Sequence, residues 1–264
     1  MNPLRTLRNY FFPDEMNRIL REAHAFPRYT QKEINFRGFN ITMTDYLSVA
    51  YQLLEIFEEE RLQFKPTGPE PLIYDCGANV GIVSLYLKSK YPNARIVAFE
   101  PDAKVFSCLK KNIEENKLSG IELNEAAVWI NNSGIEFGAE GADGGSVYFD
   151  GKKIKVKSVR LAELLEKEKT IDLLKIDIEG TENDVLPDCE PHLKKVKNLF
   201  LEYHSWSGNE QQLDALLAIL RRTGFRYTIH SIGGVGKQPF LSLPVKSGMD
   251  IQLDIHAVNL GYKA

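Results

Sequence analysis

Apolar residues recur along the chain in two alternating patterns from about residue 70 onwards. Leu72–Tyr74 form a short continuous apolar run, and Ile82, Val83, Leu85 and Tyr86 then follow at helical spacing. A short apolar run followed by such a stretch predicts a strand and then a helix. Repetition of this unit predicts a sheet of parallel strands that is covered by helices on both faces.

Seven strands are predicted in this way, and the last two are expected to close the sheet as an antiparallel pair. They cover residues 72–75, 95–99, 123–128, 170–180, 199–204, 225–229 and 251–258. The sequence therefore predicts an α/β fold, a seven-stranded doubly wound sheet that is mostly parallel with a C-terminal antiparallel strand pair. Residues 131–157 hold three short alternating runs, at 135–137, 146–149 and 154–159, and predict an inserted β-meander.

The first 68 residues do not follow the wound pattern. A capped amphipathic helix is predicted from Asp14, a hairpin across 34–41, and a second helix with Asp45 as its cap. We therefore predict two domains, a helical and hairpin extension over residues 1–68 and a wound domain over 69–264. The extension is interpreted either as a structural cap or as a lid over the site. With the Gly- and Pro-rich loop 231–250, it is expected to provide the acceptor-facing walls.

Composition narrows the classes of partner. The 264 residues include 33 Lys and Arg against 36 Asp and Glu, a formal net charge of −3. This balance lacks the basic field of a nucleic-acid-binding protein. No apolar run reaches the roughly 18 residues of a membrane span, and the first residues lack a signal-peptide core. The three cysteines form neither a disulfide framework nor a CxxC motif, so we expect a cytoplasmic protein.

Candidate chemistry begins at the loop that follows the first predicted strand of the sheet. Gly77 and Gly81 separate this strand from a helix, and glycine lets the backbone approach a ligand closely. The helix N-terminus beyond them offers unpaired N–H groups to a carboxylate or phosphate. Glu100 ends the next strand, roughly 20 residues further on, where wound folds place an acid that binds ribose hydroxyls.

Other polar residues are predicted at the carboxyl ends of later strands, where wound sheets bind their ligands. Ala126 and Ala127 leave room for a flat base, and Glu125 could accept a hydrogen bond from an exocyclic amine. Asp177 and Glu179 belong to the end of the fourth strand. These positions predict a nucleotide-containing ligand that lies across several strand ends.

The loop departs from the dinucleotide fingerprint Gly-x-Gly-x-x-Gly, because it places Asp75 two residues before Gly77 and has Gly81 four residues later. The four segments 75–81, 99–101, 126–128 and 174–180 occur in order. Together they resemble the motifs of the FkbM family of S-adenosylmethionine-dependent methyltransferases. The resemblance spans residues 70 to 260 and implies a class I, Rossmann-like fold. It also implies methylation of hydroxyl groups on sugars and natural products.

The resemblance implies roles for individual residues. Gly77, Asn79 and Gly81 would shape the pocket for the methionine part of S-adenosylmethionine, and Asp75 would either hold that loop or contact the ligand. Glu100 would bind the ribose, and Glu125 with Ala126 would border the adenine. Asp177 would lie where the methyl group points. The implied cofactor-binding residues are Asp75, Gly77, Ala78, Asn79, Gly81, Glu100, Pro101, Glu125, Ala126 and Asp177.

Methylation of a hydroxyl requires alignment with the sulfonium and removal of a proton. Asp177 is the first candidate for the base, His204 is the second, and Glu179 is a further candidate catalytic residue. These residues with Glu202 could form an oxygen-rich Mg²⁺ site. We do not favour a metal, because no dense ligand motif is present.

The prediction from the sequence is an O-methyltransferase that acts on a saccharide or related small metabolite, a form of glycan modification. Two alternatives stay open. One is an NAD-dependent oxidoreductase, favoured by the general fold and by Glu100. The other is a non-catalytic module that retains the cofactor pocket.

Overall fold

The computed structural model describes residues 14–138, 153–232, 240–241 and 249–262. Its N-terminal region contains the predicted helix, hairpin and second helix. These elements are α1 (Asp14–Ala25), β1 (Lys32–Phe36), β2 (Phe39–Met43) and α2 (Tyr46–Leu53), which continues into a π-helical turn, Leu54–Glu58. Asp45 caps α2, because its side chain accepts a hydrogen bond from the Ser48 backbone at 3.0 Å.

The wound region follows in the predicted alternation of strands and helices. Its first half contains β3 (Leu72–Cys76), α3 (Ile82–Lys90), β4 (Arg95–Phe99), α4 (Ala103–Glu115), β5 (Ile121–Asn124), β6 (Ala127–Trp129) and β7 (Ile135–Gly138). Its second half contains β8 (Lys153–Val156), β9 (Ser158–Arg160), α5 (Leu161–Lys167), β10 (Ile171–Ile176), α6 (Glu182–Cys189), a 3₁₀ segment (Glu190–Lys195), β11 (Val196–Trp206), α7 (Leu213–Arg222), β12 (Phe225–Ser231) and β13 (Met249–Asn259).

The central sheet has seven strands in the order β12-β13-β11-β10-β3-β4-β5. Pairs among β11, β10, β3, β4 and β5 are parallel, whereas β13 is antiparallel to both β11 and β12. This confirms the predicted seven-stranded sheet and its antiparallel closure. The strand order reverses between β3 and β10, and wound folds bind ligands beside such a reversal.

Two predicted strands end earlier than their apolar patterns indicate. The run 123–128 was expected to be one strand, but β5 ends at Asn124 and β6 pairs with β9 outside the main sheet. The Ala126 amide donates to the Asn124 carbonyl at 3.0 Å, which forms a tight turn between them. Likewise the expected strand 170–180 ends at Ile176, which places Asp177 and Glu179 in the following loop.

The inserted region is described in part. β7 and β8 pair as an antiparallel hairpin, and the predicted run 154–159 is divided between β8 and β9. The predicted run 146–149 lies outside the described residues. Most of the loop 231–250 does as well, because 233–239 and 242–248 are outside them.

Each face of the sheet has its own hydrophobic core. The N-terminal elements pack with α3 and α4 on one face, and α5, α6 and α7 cover the other. Asn112 on α4 joins the N-terminal hairpin to the loop after β3, since its side-chain amide donates to the carbonyls of Thr42 and Val80 at 2.8 Å. The extension therefore shares a core with the wound sheet, and the domain boundary at residue 68 stays a prediction. Among the described residues, no helix has the length and apolar character needed to cross a membrane.

Candidate active site

Four loops lie side by side at the carboxyl edge of the sheet. They follow β3, β4, β5 and β10, which are consecutive in the sheet in the order β10-β3-β4-β5. The loops carry the segment 77–81, Glu100, the segment 125–126 and the segment 177–180. The structure therefore brings the predicted residues of these loops to one edge, as parallel strands require.

The first of these loops depends on the absence of side chains at Gly77 and Gly81. Gly77 has φ +85°, and a Cβ there would lie 1.8 Å from the Asp177 carbonyl oxygen. The amides of Gly77 and Ala78 both donate to the Phe99 carbonyl, at 3.1 and 2.8 Å. The approach at Gly77 holds the loops after β3 and β10 closer together than any other residue type would allow. The two bonds to Phe99 hold the same loop against the end of β4.

Glu100 connects the glycine loop to the start of α4. Its carboxylate is buried and accepts hydrogen bonds from the backbone amides of Asn79 at 3.0 Å and Asp102 at 2.9 Å. Burial raises the pKa of Glu100 to about 8, although both amides oppose that rise. Asn79 adopts φ +49°, a conformation that asparagine tolerates better than most residues.

The residues predicted to border adenine lie in the turn after β5. Glu125 is exposed and Ala126 is buried, while Pro101 on the neighbouring loop is half-buried. The Glu100 amide donates to the Asn124 carbonyl at 3.1 Å, so the loop after β4 is fixed against the end of β5. Both predicted contact regions, for ribose and for adenine, are therefore adjacent.

A buried lysine, which the sequence analysis did not identify, lies between two of the predicted acids. The Lys175 ammonium lies 3.3 Å from Asp75 Oδ1 and 3.1 Å from Asp177 Oδ2, and it donates to the Gly77 carbonyl at 2.7 Å. Burial alone would lower the pKa of Lys175, but Asp177 and Asp75 outweigh it and raise the pKa above its ordinary value. Asp75 is fully buried, and burial raises its pKa while Lys175 opposes the rise.

His204 belongs to a second group of charged side chains beside Asp177. It lies on β11, next to β10, and its side chain is completely buried. Its Nδ1 is 3.1 Å from Glu182, and its Nε2 is 3.3 Å from Glu202 and 3.7 Å from Glu179. Burial alone would lower the pKa of His204, but Glu182 and Glu179 raise it well above its ordinary value.

Glu182 was also missed by the sequence analysis, and it organises the loop after β10. Its side chain is buried and accepts hydrogen bonds from the amides of Ile178 at 3.0 Å and Gly180 at 2.9 Å. Glu179, which lies between them, has φ +56°, a left-handed backbone conformation that is uncommon for a residue other than glycine. In the sequence, Glu182 is indistinguishable from an ordinary acid in the first turn of a helix.

Comparison with known proteins identifies a family model that matches this part of the chain. The model describes the methyltransferase FkbM domain and matches residues 75–227. Its range begins at Asp75 and includes the four loops, Lys175, Glu182 and His204.

Two curated relatives and one solved structure are similar to the chain. Methyltransferase sdnD of Sordaria araneosa is 32% identical over 206 residues, which cover 62% of this chain and 78% of that protein. The 2-O-methyltransferase NoeI of Sinorhizobium fredii is 28% identical over 200 residues, which cover 67% of this chain and 77% of NoeI. The structure of the SAM-dependent methyltransferase from Agrobacterium tumefaciens aligns with a TM-score of 0.50 at 12% identity. That alignment covers 89% of this chain and 72% of the other, and it bears on the fold alone.

Proposed function

Because the chain belongs to the FkbM family of methyltransferases, we propose that it transfers a methyl group from S-adenosylmethionine to a hydroxyl of a saccharide or related small metabolite. The observation that carries this proposal is the alignment of the glycine loop, Glu100 and Asp177 along one edge of the sheet. The 2-O-methyltransferase NoeI, a relative that is 28% identical, supports a hydroxyl as the acceptor.

The cofactor lies across the loops after β3, β4 and β5. Its amino acid part occupies the cradle of Gly77, Ala78, Asn79 and Gly81, in which the two glycine positions leave no room for a Cβ atom. Asp75 acts from beneath this loop rather than by direct contact, because it is fully buried against Lys175. S-adenosylmethionine supplies an electrophilic methyl group with a good leaving group. The protein's part is to align the acceptor and take its proton.

The ribose hydroxyls of the cofactor donate to Glu100, and the adenine lies between Pro101 and the Glu125–Ala126 turn. An ionised Glu100 is the better acceptor for a vicinal diol. Because the pKa of Glu100 is about 8 before the ligand binds, the affinity for the cofactor depends on pH in that range. Ionisation becomes more complete as the pH rises, so affinity rises with it.

Glu100→Gln is therefore expected to weaken S-adenosylhomocysteine binding by about 10- to 100-fold, the loss of hydrogen bonds to a charged group. In the wild type, calorimetry should record tighter binding as the pH is raised through about 8, and this rise should be absent in the variant. Glu122→Gln is the control, since Glu122 is an exposed acid on the adjacent strand β5. Unchanged affinity and an unchanged pH profile in Glu100→Gln would show that the ribose lies elsewhere.

Asp177 is the better placed of the two candidate bases. Its side chain is 24% exposed, whereas that of His204 is completely buried and enclosed by Glu182, Glu179 and Glu202. The Lys175 ammonium fixes the Asp177 carboxylate through Oδ2. We therefore assign proton removal from the acceptor hydroxyl to Asp177, and Glu179 and His204 to its immediate surroundings.

Asp177→Asn is expected to reduce kcat by about 100-fold or more, because a general base contributes about 10²- to 10⁴-fold. The amide preserves the shape of the side chain, so the affinity for S-adenosylhomocysteine should change by much less than kcat. Steady-state kinetics measure the loss of kcat, and calorimetry on the same samples measures the affinity for S-adenosylhomocysteine. A kcat within a few-fold of wild type would exclude Asp177 as the base.

Segment 14–68 is proposed to form a wall of the acceptor site, as the sequence analysis considered. Arg61, which follows α2, contacts Asp254 on β13 at 2.7 Å, and Asp254 lies opposite Glu202 in the register of β11 and β13. The extension thus reaches β13, the neighbour of the strand that carries His204. This contact supports a position of the extension beside the charged cluster.

Methyl transfer from labelled S-adenosylmethionine to a panel of sugars, nucleotide sugars and glycan extracts tests the proposed function. An O-methylated saccharide is the expected product. If S-adenosylhomocysteine binds but no hydroxyl compound is methylated, a module that only retains the cofactor pocket becomes the better interpretation. If NAD binds in competition with S-adenosylhomocysteine, the oxidoreductase alternative is supported instead.

A further inference from the structure

Asp177, Glu179 and His204 place ligand atoms around one small space beside the proposed methyl-transfer site. One oxygen of each acid and one ring nitrogen of His204 all lie within 4.8 Å of one another. Atoms that coordinate one ion at 2.0–2.3 Å from opposite sides are separated by about 4–4.6 Å. The three side chains are thus close to the separation that a shared ion requires.

The histidine nitrogen that faces this space has no hydrogen-bond partner. His204 is 1% exposed, and its Nε2 forms no hydrogen bond of acceptable geometry, although Glu202 and Glu179 lie 3.3 and 3.7 Å away. Buried polar atoms are normally satisfied, so an unpartnered ring nitrogen calls for an explanation. A metal ion that accepts its lone pair provides one.

The other ring nitrogen is held in the arrangement that metal-binding histidines use. Nδ1 is 3.1 Å from Glu182 Oε1, a carboxylate that can only accept, so Nδ1 keeps its proton when Nε2 binds an ion. An ion that binds at Nε2 displaces the proton that the surrounding acids otherwise hold there and then receives the lone pair of this nitrogen. Glu182 is itself anchored by the amides of Ile178 and Gly180. Metal-ligating histidines commonly donate their second N–H to a carboxylate in this way.

We propose that Asp177, Glu179 and His204 bind a divalent cation, with Glu202 beside His204 as an additional oxygen donor. The sequence alone did not favour a metal, because the ligands of this site do not form a dense motif. Two come from the loop after β10 and one from the neighbouring strand β11, and only their adjacency in the sheet brings them together. A set of carboxylates with one imidazole suits a first-row ion such as Mn²⁺.

Charge balance supports the same conclusion. The carboxylates of Asp177, Glu179, Glu182 and Glu202 surround His204, and Lys175 reaches the first of them through Oδ2. Lys175 and a protonated His204 supply two positive charges against these four acids, so full ionisation of the acids leaves an excess of negative charge, which is unfavourable in a mostly buried space. A divalent ion would compensate this excess. The ion would also lower the pKa of an acceptor hydroxyl beside Asp177. This second role rests on the proposed function, but binding of the ion is independent of it.

Electron paramagnetic resonance titration of the full chain with Mn²⁺, in the absence of cofactor, tests this inference. We expect one strongly bound Mn²⁺ per chain in the wild type and loss of this binding in Glu179→Gln and His204→Gln. Glu182→Gln should weaken binding by about 10- to 100-fold, the usual effect of disturbing the partner of a metal-binding histidine. Asp184→Asn, which removes an exposed acid from the same helix as Glu182, should bind Mn²⁺ like the wild type.

Calorimetry with S-adenosylhomocysteine on the same samples separates this inference from the proposed function. A wild type that binds S-adenosylhomocysteine and methylates an acceptor but binds no Mn²⁺ at millimolar concentration overturns the inference alone. Equal Mn²⁺ binding in the wild type, Glu179→Gln and His204→Gln also overturns it. Strong Mn²⁺ binding without any cofactor binding supports the metal site and contradicts the proposed methyl transfer. Because the Glu179 side chain is 22% exposed, Glu179→Gln decides the test even if His204→Gln does not fold.

Discussion

Gly77→Ala is expected to abolish binding of S-adenosylhomocysteine and to lower the free energy of unfolding by at least about 3 kcal/mol. The added methyl group would lie 1.8 Å from the Asp177 carbonyl oxygen, a backbone atom that cannot move aside by changing rotamer. The backbone at Gly77 also has φ +85°, which L-residues rarely adopt. Relief of the clash requires the loops after β3 and β10 to separate.

Separation of these loops affects the cofactor as well as the fold. Lys175 bonds to the Gly77 carbonyl and lies between Asp75 and Asp177, so a shift of either loop disrupts this charged group. We therefore expect calorimetry to detect no heat of binding. Urea denaturation should record the loss of stability in the same preparation.

Gly38→Ala is a matched control for the conformational part of this effect. Gly38 has φ +87° in the turn between β1 and β2, and a Cβ there would meet nothing within 4 Å. This variant should lose about 1–2 kcal/mol from the left-handed conformation alone and should bind S-adenosylhomocysteine normally. If the two variants lose equal stability and both bind, the close approach of the loops is not what requires glycine at position 77.

Apolar periodicity predicted most of the fold because helices and strands differ in the spacing of their buried residues. It could not locate where a strand ends inside an apolar run. The segment Leu123–Val128 has only two polar residues, Asn124 and Glu125, between apolar ones, yet the amide of Ala126 turns back to Asn124 and the chain leaves the sheet. Such an ending depends on a local hydrogen bond and on pairing with β9, which lies about 30 residues away in the sequence. Neither is encoded in the spacing of apolar residues.

The residues of the site that directly follow the ends of strands could be predicted from the sequence. Glu100 and Asp177 follow strands directly, and the topology of a wound sheet brings such positions together. Lys175 and Glu182 contribute through tertiary contacts. Lys175 had a signal, because a charge within the apolar run Leu173–Ile176 indicates a buried partner. Glu182 had none, since its partner His204 is 22 residues away in sequence.

Lys175→Met is expected to destabilise the protein by about 3–5 kcal/mol near neutral pH, the usual effect of removing one partner from a buried ion pair. The Lys175 side chain is 5% exposed, and its ammonium lies between Asp75 and Asp177. Without it, two carboxylates remain close together with no compensating charge. Asp75 is fully buried and would bear most of this penalty. Chemical denaturation at several pH values measures the effect.

The destabilisation should depend on pH with a definite sign. Burial already raises the pKa of Asp75, and loss of the ammonium raises it further above the unfolded value of about 4. An acid whose pKa is higher in the folded state stabilises the protein at low pH, and this contribution is lost as the pH rises through the folded pKa. Lys175→Met should therefore be closest to wild type at acidic pH and should fall increasingly below it towards neutral pH.

Two further variants determine whether charge is the cause. Adding Asp75→Asn to Lys175→Met removes the most deeply buried carboxylate, so the double variant should regain much of the lost stability and most of the pH dependence should disappear. Lys88→Met removes another buried lysine, but one that donates to the carbonyls of Pro92 and Ala94 rather than to acids. It should be destabilised equally at acidic and neutral pH. A pH-independent loss in Lys175→Met, with no recovery in the double variant, would mean that Lys175 acts through packing and its bond to Gly77 rather than by holding the two acids together.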